Sequence, residues 1–306
     1  MSEKLLNVNI HCISKVLSSL THMMGTAGNE SLINKEKILY NDKIKDVPVI
    51  SGNAIRHKFI REPGTLFLID KLDLAGKLNI DQVNYMFYGG ALTKSSINEN
   101  MKSIAELQIL FPLFRLLGGS LRDQIVAGSM ICKRGVLICE ENKKNINNHL
   151  PNEWKLTNDC LKMSDDFIKQ YQYTRGDALK RKDASELLHK NIESSKSNLM
   201  LYSGQTVIPG AMFYHGFILN KVSLLEVGSL FLALKTWSEL GGTIGGQARI
   251  GHGLLNMRYF IECKEIEITD DKIDMYISNY EDHIIKNKEK CIQWLNENFS
   301  EDKEKK

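Results

Sequence analysis

The chain has 306 residues, 42% of them hydrophobic and 25% charged, the balance of a globular protein and not of a disordered one. Its net charge of +3 is uneven: after position 263 there are 12 acidic against 8 basic residues, which leaves +7 on the body, a sign that tolerates a polyanion without marking a DNA-coating protein. No run of about eighteen apolar residues, no secretory leader pattern and no C-x-x-C pair among six cysteines is present, so no membrane span, disulfide framework or structural zinc site is expected and a cytosolic, cytoplasmic location is. The length suits one elaborated domain or two small ones.

At the start, Leu6, Val8, Ile10 and Cys12 alternate with Asn7, Asn9 and His11, which predicts a half-buried strand. Its polar face suits either a nucleic acid or plain solvent. Residues 21–46 read as a long loop or flap containing Gly25 and Gly28. Pro48 biases Val47 to extended geometry, and Ser51 is a good N-cap for a helix running to Arg61. A helix start followed within two turns by Arg56, His57, Lys58 and Arg61 is a phosphate site on physical grounds, or else a solvated basic face. From Thr65 to Leu117 the pattern is helical, interrupted at Gly76, Gly89 and Gly90. Leu107, Leu110, Phe111, Phe114 and Leu117 would share an apolar face, with a kink at Pro112 and a stop at Gly118.

Residues 128–139 read as a hairpin or one long strand, and 140–158, rich in Asn and Lys, as loop. Tyr171 to Ser197 is the most polar stretch of the body. There Tyr171 and Tyr173 precede Arg175, Lys180, Arg181 and Lys182, which offers stacking and phosphate contact together, or a solvated protrusion. Residues 199–219 read as two strands about Pro209 and Gly210. Ser223 with Glu226 has the form of a capping box, and Leu224, Val227, Phe231, Leu234 and Trp237 then mark one helical face. Gly241 and Gly242 end that helix, and a glycine-rich loop at 241–253 leads into a strand from Leu254 to Glu262. Phosphate-binding glycine loops follow a strand and open a helix; this one does the reverse and lacks Gly-Lys-Ser/Thr, so a nucleotide-triphosphate pocket is not expected. Gln247, Arg249 and His252 lie on a small-residue surface that an extended nucleic-acid strand could approach, unless the loop is a tight connection alone. A C-terminal helix from Tyr276 to Phe299 would place Ile277, Tyr280, Ile284, Ile285, Ile292, Leu295 and Phe299 on one side. The order of elements predicts an α+β protein with a split βαββαβ core, of the kind that often binds RNA on an exposed sheet.

In order along residues 5–262, VPVISGNAIRH, LFRLLGGSLRDQIVAGSM, QYTRGDALKRKD, TVIPGAMFYHGFIL and LGGTIGGQARIGHGLL together resemble the RAMP superfamily. Within it the chain is similar to the Cas-seven-type backbone subunits of multi-subunit CRISPR effector complexes, type I or type IV-like more than the RNA-cleaving type III. The resemblance implies an RRM/ferredoxin-like palm over residues 1–263 with a helical insertion at 65–117, a thumb β-hairpin at 165–205 and a helical tail over 264–306. It implies CRISPR RNA as ligand, homo-oligomerisation along the guide spacer, pairing of the guide with a target nucleic acid, DNA in the first instance, and other effector-complex subunits as partners. No cofactor, metal or membrane is implied. Ser51, Asn53 and Arg56 would touch phosphates, and Gly245, Gly246, Gln247 and Arg249 would lie against the RNA. The RNA-cleaving branch carries an aspartate in the loop after the first strand. Here residues 25–32 hold Asn29 and Glu30 but no aspartate, and Asp42 and Asp46 fall later, so no nuclease activity is expected. The alternatives are a metal-dependent RNA endonuclease of the same fold, repeat processing by His22 or His57, or a domain whose glycine loop serves assembly only.

Overall fold

A computed structural model describes residues 5–27, 30–92, 100–121, 124–157, 161–174 and 201–299. The alternation at the start becomes β1 (Leu6–Val16), with Leu6, Val8, Ile10 and Cys12 buried. Residues 21–46 are not a loop: they form β2 (Met23–Ala27), β3 (Glu30–Ile33), β4 (Lys35–Tyr40) and the start of β5 (Lys43–Ile50). Gly52–Ile55, π-helical Arg56–Arg61 and Glu62–Lys71 then follow one another as one uninterrupted palm helix. A small ribbon, β6 (Gly119–Leu121) and β7 (Gln124–Val126), precedes β8 (Met130–Leu137), a single strand where a hairpin was also open. β9 (Ile168–Thr174) and β10 (Leu201–Val207) pair with each other, β11 (Met212–Val222) leads to the second palm helix Leu224–Glu239, and β12 (Leu255–Cys263) closes the palm.

The main sheet has the order β12-β1-β11-β8-β5-β4, antiparallel throughout. Its first four members, with the first palm helix and the helical insertion between β1 and β8 and the second palm helix between β11 and β12, make the expected ferredoxin-like βαββαβ palm. The strands about Pro209 and Gly210 do not pair: β11 sits between β1 and β8, whereas β10 belongs to a separate sheet of order β2-β3-β10-β9. The flap after β1 and the β9–β10 pair, the expected stem of the thumb, are thus one sheet.

Both palm helices cover the apolar face. Phe59 and Trp237, one from each, meet at 4.2 Å between ring centroids, and Phe59 also stands edge-on to His215 of β11. His215 is buried, pairs through Nε2 with Ser14 Oγ at 2.8 Å, and is pushed down to about 3 by burial, so it is a neutral core group. Arg61, only 4% exposed, donates to the carbonyls of Tyr85, Met86 and Gly118 and ties the helical insertion to the palm helix. It is therefore a structural arginine, unavailable to phosphate. In the insertion, Asn100–Leu110 ends at Phe111 and Pro112–Leu117 begins anew, with the five expected apolar residues buried.

The opposite face of the sheet is not open. The described part of residues 140–158, expected as loop, forms short helical turns whose Ile146 and Leu150 pack with Ile13 and Tyr214, so that His11 is buried against Tyr214. In the tail the helix expected from Tyr276 starts earlier, at Asp270, and is broken at Asn287 into Asp270–Lys286 and Lys288–Asn298. It packs on the second palm helix so closely that a Cβ on Gly228 would lie 2.1 Å from the Tyr276 carbonyl oxygen. Ile285 points outward, unlike Ile284 beside it, because consecutive helical residues diverge by about 100°. Among the described residues no helix is long and apolar enough to cross a membrane.

Candidate nucleic-acid interface

Both palm helices start with a capping serine. At Ser223 the predicted capping box is present: the Ser223 N–H donates to Glu226 Oε2 at 2.8 Å, and Glu226 N–H donates back to Ser223 Oγ. Glu226 is 1% exposed, and Arg115 and Ser129 also donate to its carboxylate. This helix start carries its own anion, already matched.

The Ser51 start is built differently. Ser51 Oγ accepts from Ala54 N–H at 3.2 Å, but the first turn holds no acidic residue. Gly52 and Asn53 stand at the first two helical positions, where backbone N–H groups have no partner inside the helix. They open onto a cleft of about 780 Å³, lined among others by Lys35, Lys37, Ser51, Asn53, Arg56 and Arg134. Pairing of β4 with β5 and of β5 with β8 sets these cations around the helix start, since Lys35 faces Pro48 and Ile50 faces Gly135. The one carboxylate on the lining is Glu36, which pairs with Arg134. Arg56 donates to the Leu117 carbonyl, and burial holds its pKa below the usual guanidinium value. One carbonyl leaves most of its five N–H donors for a ligand.

His57 lies outside the cleft lining. Its ring stacks on Tyr88 at 5.9 Å, and Nε2 is 3.5 Å from Glu62, which also pairs with Lys58. His22 supports the cleft from behind: its Nε2 accepts from Ser51 N–H at 3.0 Å, which requires the neutral ring that burial favours by lowering its pKa.

The glycine loop meets the same stretch of chain from the other side. Gly246 N–H donates to Thr21 O at 2.7 Å, and Thr21 Oγ1 donates to Gly246 O at 2.6 Å. Gly253 N–H donates to Ser19 O at 2.9 Å. Gly245 has φ +86°, and a Cβ there would lie 2.5 Å from Thr21 O; at Gly253, with φ +80°, it would lie 2.0 Å from Ile244 O. At these positions the closely approaching backbone is the protein's own. Gln247 Nε2 donates to Tyr171 Oη of β9 at 3.0 Å, and His252 stands edge-on to the same ring, so the loop also grips the thumb stem. Arg249 is exposed.

The stem of the thumb is an antiparallel ladder from Ile168 opposite Val207 to Thr174 opposite Leu201. Arg175, Lys180, Arg181 and Lys182 lie outside the described residues. Residues 19–23 thus join three distant segments: the Ser51 helix start through His22, the glycine loop through Thr21, and the flap and thumb sheet through β2. Lys35, Lys37 and Arg134 were not legible as site residues. Lys35 and Lys37 do alternate along an edge strand, but nothing local to Arg134 places it beside a helix 80 residues earlier.

Among the described residues no group of three or more His, Cys, Asp or Glu is placed to hold a metal ion. No protein-family model matches the sequence, and no curated protein matches it. Among solved structures the chain is similar to a chain of a Type IV-B CRISPR complex, with a TM-score of 0.57 and 14% identity, covering 85% of this chain and 93% of that one. At that identity the likeness is one of fold.

Proposed function

We propose that this chain is a non-catalytic RNA-binding subunit of a CRISPR effector complex. It grips the backbone of a CRISPR RNA guide, assembles along the spacer with further copies and other subunits, and presents the guide for pairing with a target nucleic acid, DNA in the first instance. The observation that carries this reading is the Ser51 helix start: a positive dipole end with unpaired N–H groups, no acid of its own, and Lys35, Lys37, Arg56 and Arg134 around it. An anionic backbone answers that arrangement. The fold shared with a chain of a Type IV-B CRISPR complex supplies the context.

In this role the backbone N–H groups of Gly52 and Asn53, with Arg56 and Arg134, hold phosphates and fix register without reading sequence. Specificity comes from base pairing by the guide, as in other RNA-guided systems. Exposed Arg249 and the thumb would extend the same grip along the strand. Two observations favour this over cleavage. Asp42 and Asp46 are four residues apart on one hairpin, about 13 Å along an extended strand, too far to share a metal ion. His22 spends its ring lone pair on Ser51 N–H and is a poor general base.

The test is to co-express the chain with a matching CRISPR array and its partner subunits, then measure by size exclusion the mass and the lengths of protected RNA. A large species protecting RNA of uniform length or in a regular ladder is expected. Binding that differs by orders of magnitude between two unrelated guides, or target-RNA cleavage lost in Asp42→Ala, would overturn the proposal.

A further inference from the structure

Beside the Ser51 cleft the chain holds two large side chains in solvent that a grip on phosphates does not use. Tyr88, the last residue of the π-helical turn Asn84–Tyr88, is 72% exposed, and Ile125 of β7 is 74% exposed. Isolated apolar side chains on a surface need no explanation, but these two are mounted together. The Ser120 N–H donates to the Gly89 carbonyl at 2.6 Å, and Ser120 is the cross-strand partner of Ile125. The β6–β7 ribbon therefore carries Ile125 alongside the residue that follows Tyr88.

This pair is also fixed to the wall of the cleft. Arg56, which lines the cleft, donates to the Leu117 carbonyl two residues before the ribbon begins at Gly119, and Arg61 donates to the Gly118 carbonyl at 2.7 Å. His57, next in the chain after Arg56, lies parallel to the Tyr88 ring, with 12° between the planes. Contacts thus run in a closed circuit from Arg56 through Leu117, Ser120 and Gly89 to Tyr88, and back through His57. One face of the Tyr88 ring is backed by His57, and the other is open to solvent. The carboxylate beside His57, Glu62, is matched by Lys58 at 2.5 Å, so it does not repel an anionic strand here.

A phosphate held at Ser51 and Arg56 brings its sugar and base with it. An unstacked base presents a flat apolar face that an aromatic ring covers, and aliphatic side chains wedge against bases in the same way. Two side chains offer far less than the roughly 800 Å² per partner of a stable protein interface, whereas their area suits a single base. We infer that a nucleobase of the bound guide stacks on the open face of Tyr88 and against Ile125, while the adjoining backbone phosphate occupies the Ser51 cleft. The inference rests on the guide-binding role proposed above and adds a base subsite to its phosphate site. Every base has a π-face, so such a subsite holds the strand without selecting its sequence.

The experiment loads the assembly with guide RNA carrying photoreactive 5-iodouridine at successive spacer positions, irradiates it and maps the linked peptides. Crosslinks to Tyr88 from positions that recur at a fixed spacing along the guide are expected. Tyr88→Ala, changed at an exposed position, should leave the melting temperature unchanged and lose about tenfold in affinity for single-stranded RNA. Tyr88→Phe, which keeps the ring, should recover most of that loss. Guide crosslinks that never reach Tyr88, Tyr88 crosslinks that form only when the target strand carries the label, or equal RNA affinity of Tyr88→Ala and the parent would each overturn the inference and leave the guide-binding role standing. If the unsubstituted chain binds no RNA, that role falls, and the inference falls with it.

Discussion

The two helix starts of the palm, Ser51 and Ser223, share a residue type and a capping bond but are finished in opposite ways. At Ser223 the chain supplies Glu226, buries it, and surrounds it with Arg115 and Ser129, so the positive end of the helix is neutralised internally. At Ser51 the first turn supplies no acid, the first N–H groups face a cleft, and the neighbouring strands add three cations, Lys35, Lys37 and Arg134, against one carboxylate, Glu36. The first arrangement is complete as folded. The second carries an unmet electrostatic demand, one that a phosphate backbone would meet. A capping motif alone does not separate the two; the charge that faces it does.

Removing the anion from the finished start should have the largest effect. Glu226→Ala strips Arg115 and Ser129 of their partner and breaks the capping box, and should lower unfolding free energy by about 4 kcal/mol in a urea titration. The RNA affinity of the folded fraction should not change; a loss of affinity as large as the loss of stability would erase the distinction. At the open start the sign of the readout reverses. Arg56→Ala loses its bond to the Leu117 carbonyl and should cost about 1.5 kcal/mol of stability, well below the cost at Glu226, but about tenfold in RNA affinity, and should reduce the slope of log affinity against log salt by roughly 0.7.

Acidification probes the support behind the cleft. Burial holds the His22 pKa below its ordinary value of 6.5, so as pH falls the unfolded chain takes up this proton before the folded protein does. The His22 contribution to stability is thus complete above about 6.5 and is lost as pH drops from there toward the folded value. A His22→Gln variant should show a flatter stability profile across that window, measured by denaturation at a series of pH values. The smallest effect is the most discriminating. Asn53→Asp gives the Ser51 helix the acid it lacks, and should stabilise the free protein by about 0.5 kcal/mol while weakening RNA binding by repelling phosphate. If both quantities rose together, the cleft would not be an anion site.

Much of the palm was legible because its signals are local. The alternation of Leu6, Val8, Ile10 and Cys12, the Ser223–Glu226 pair and the break at Pro112 all operate within a few residues and all appear in the structure. The segment 21–46 was misread for the converse reason. Its strands are short and their apolar residues fall in adjacent pairs, Met23-Met24, Leu32-Ile33 and Ile38-Leu39, so alternation is weak, although Tyr40-Asn41-Asp42-Lys43 is a recognisable hairpin turn. The glycine loop shows a subtler limit. Its glycines do mark close approach, but at Gly245 the approaching group is Thr21 of the same chain.

By itself, the sequence determined the order of the palm's strands and helices, the positions of both capping serines and the buried side of the second palm helix, since each depends on propensity and spacing along a single element. Only the tertiary structure decided what those elements face. Arg56 and Arg61 stand at the two ends of one π-helical segment, yet one opens to a basic cleft and the other is sealed under the carbonyls of Tyr85, Met86 and Gly118. Nothing within the helix distinguishes them. The difference comes from strands and an insertion that are remote in sequence, and desolvation by those neighbours decides which guanidinium remains free for a ligand.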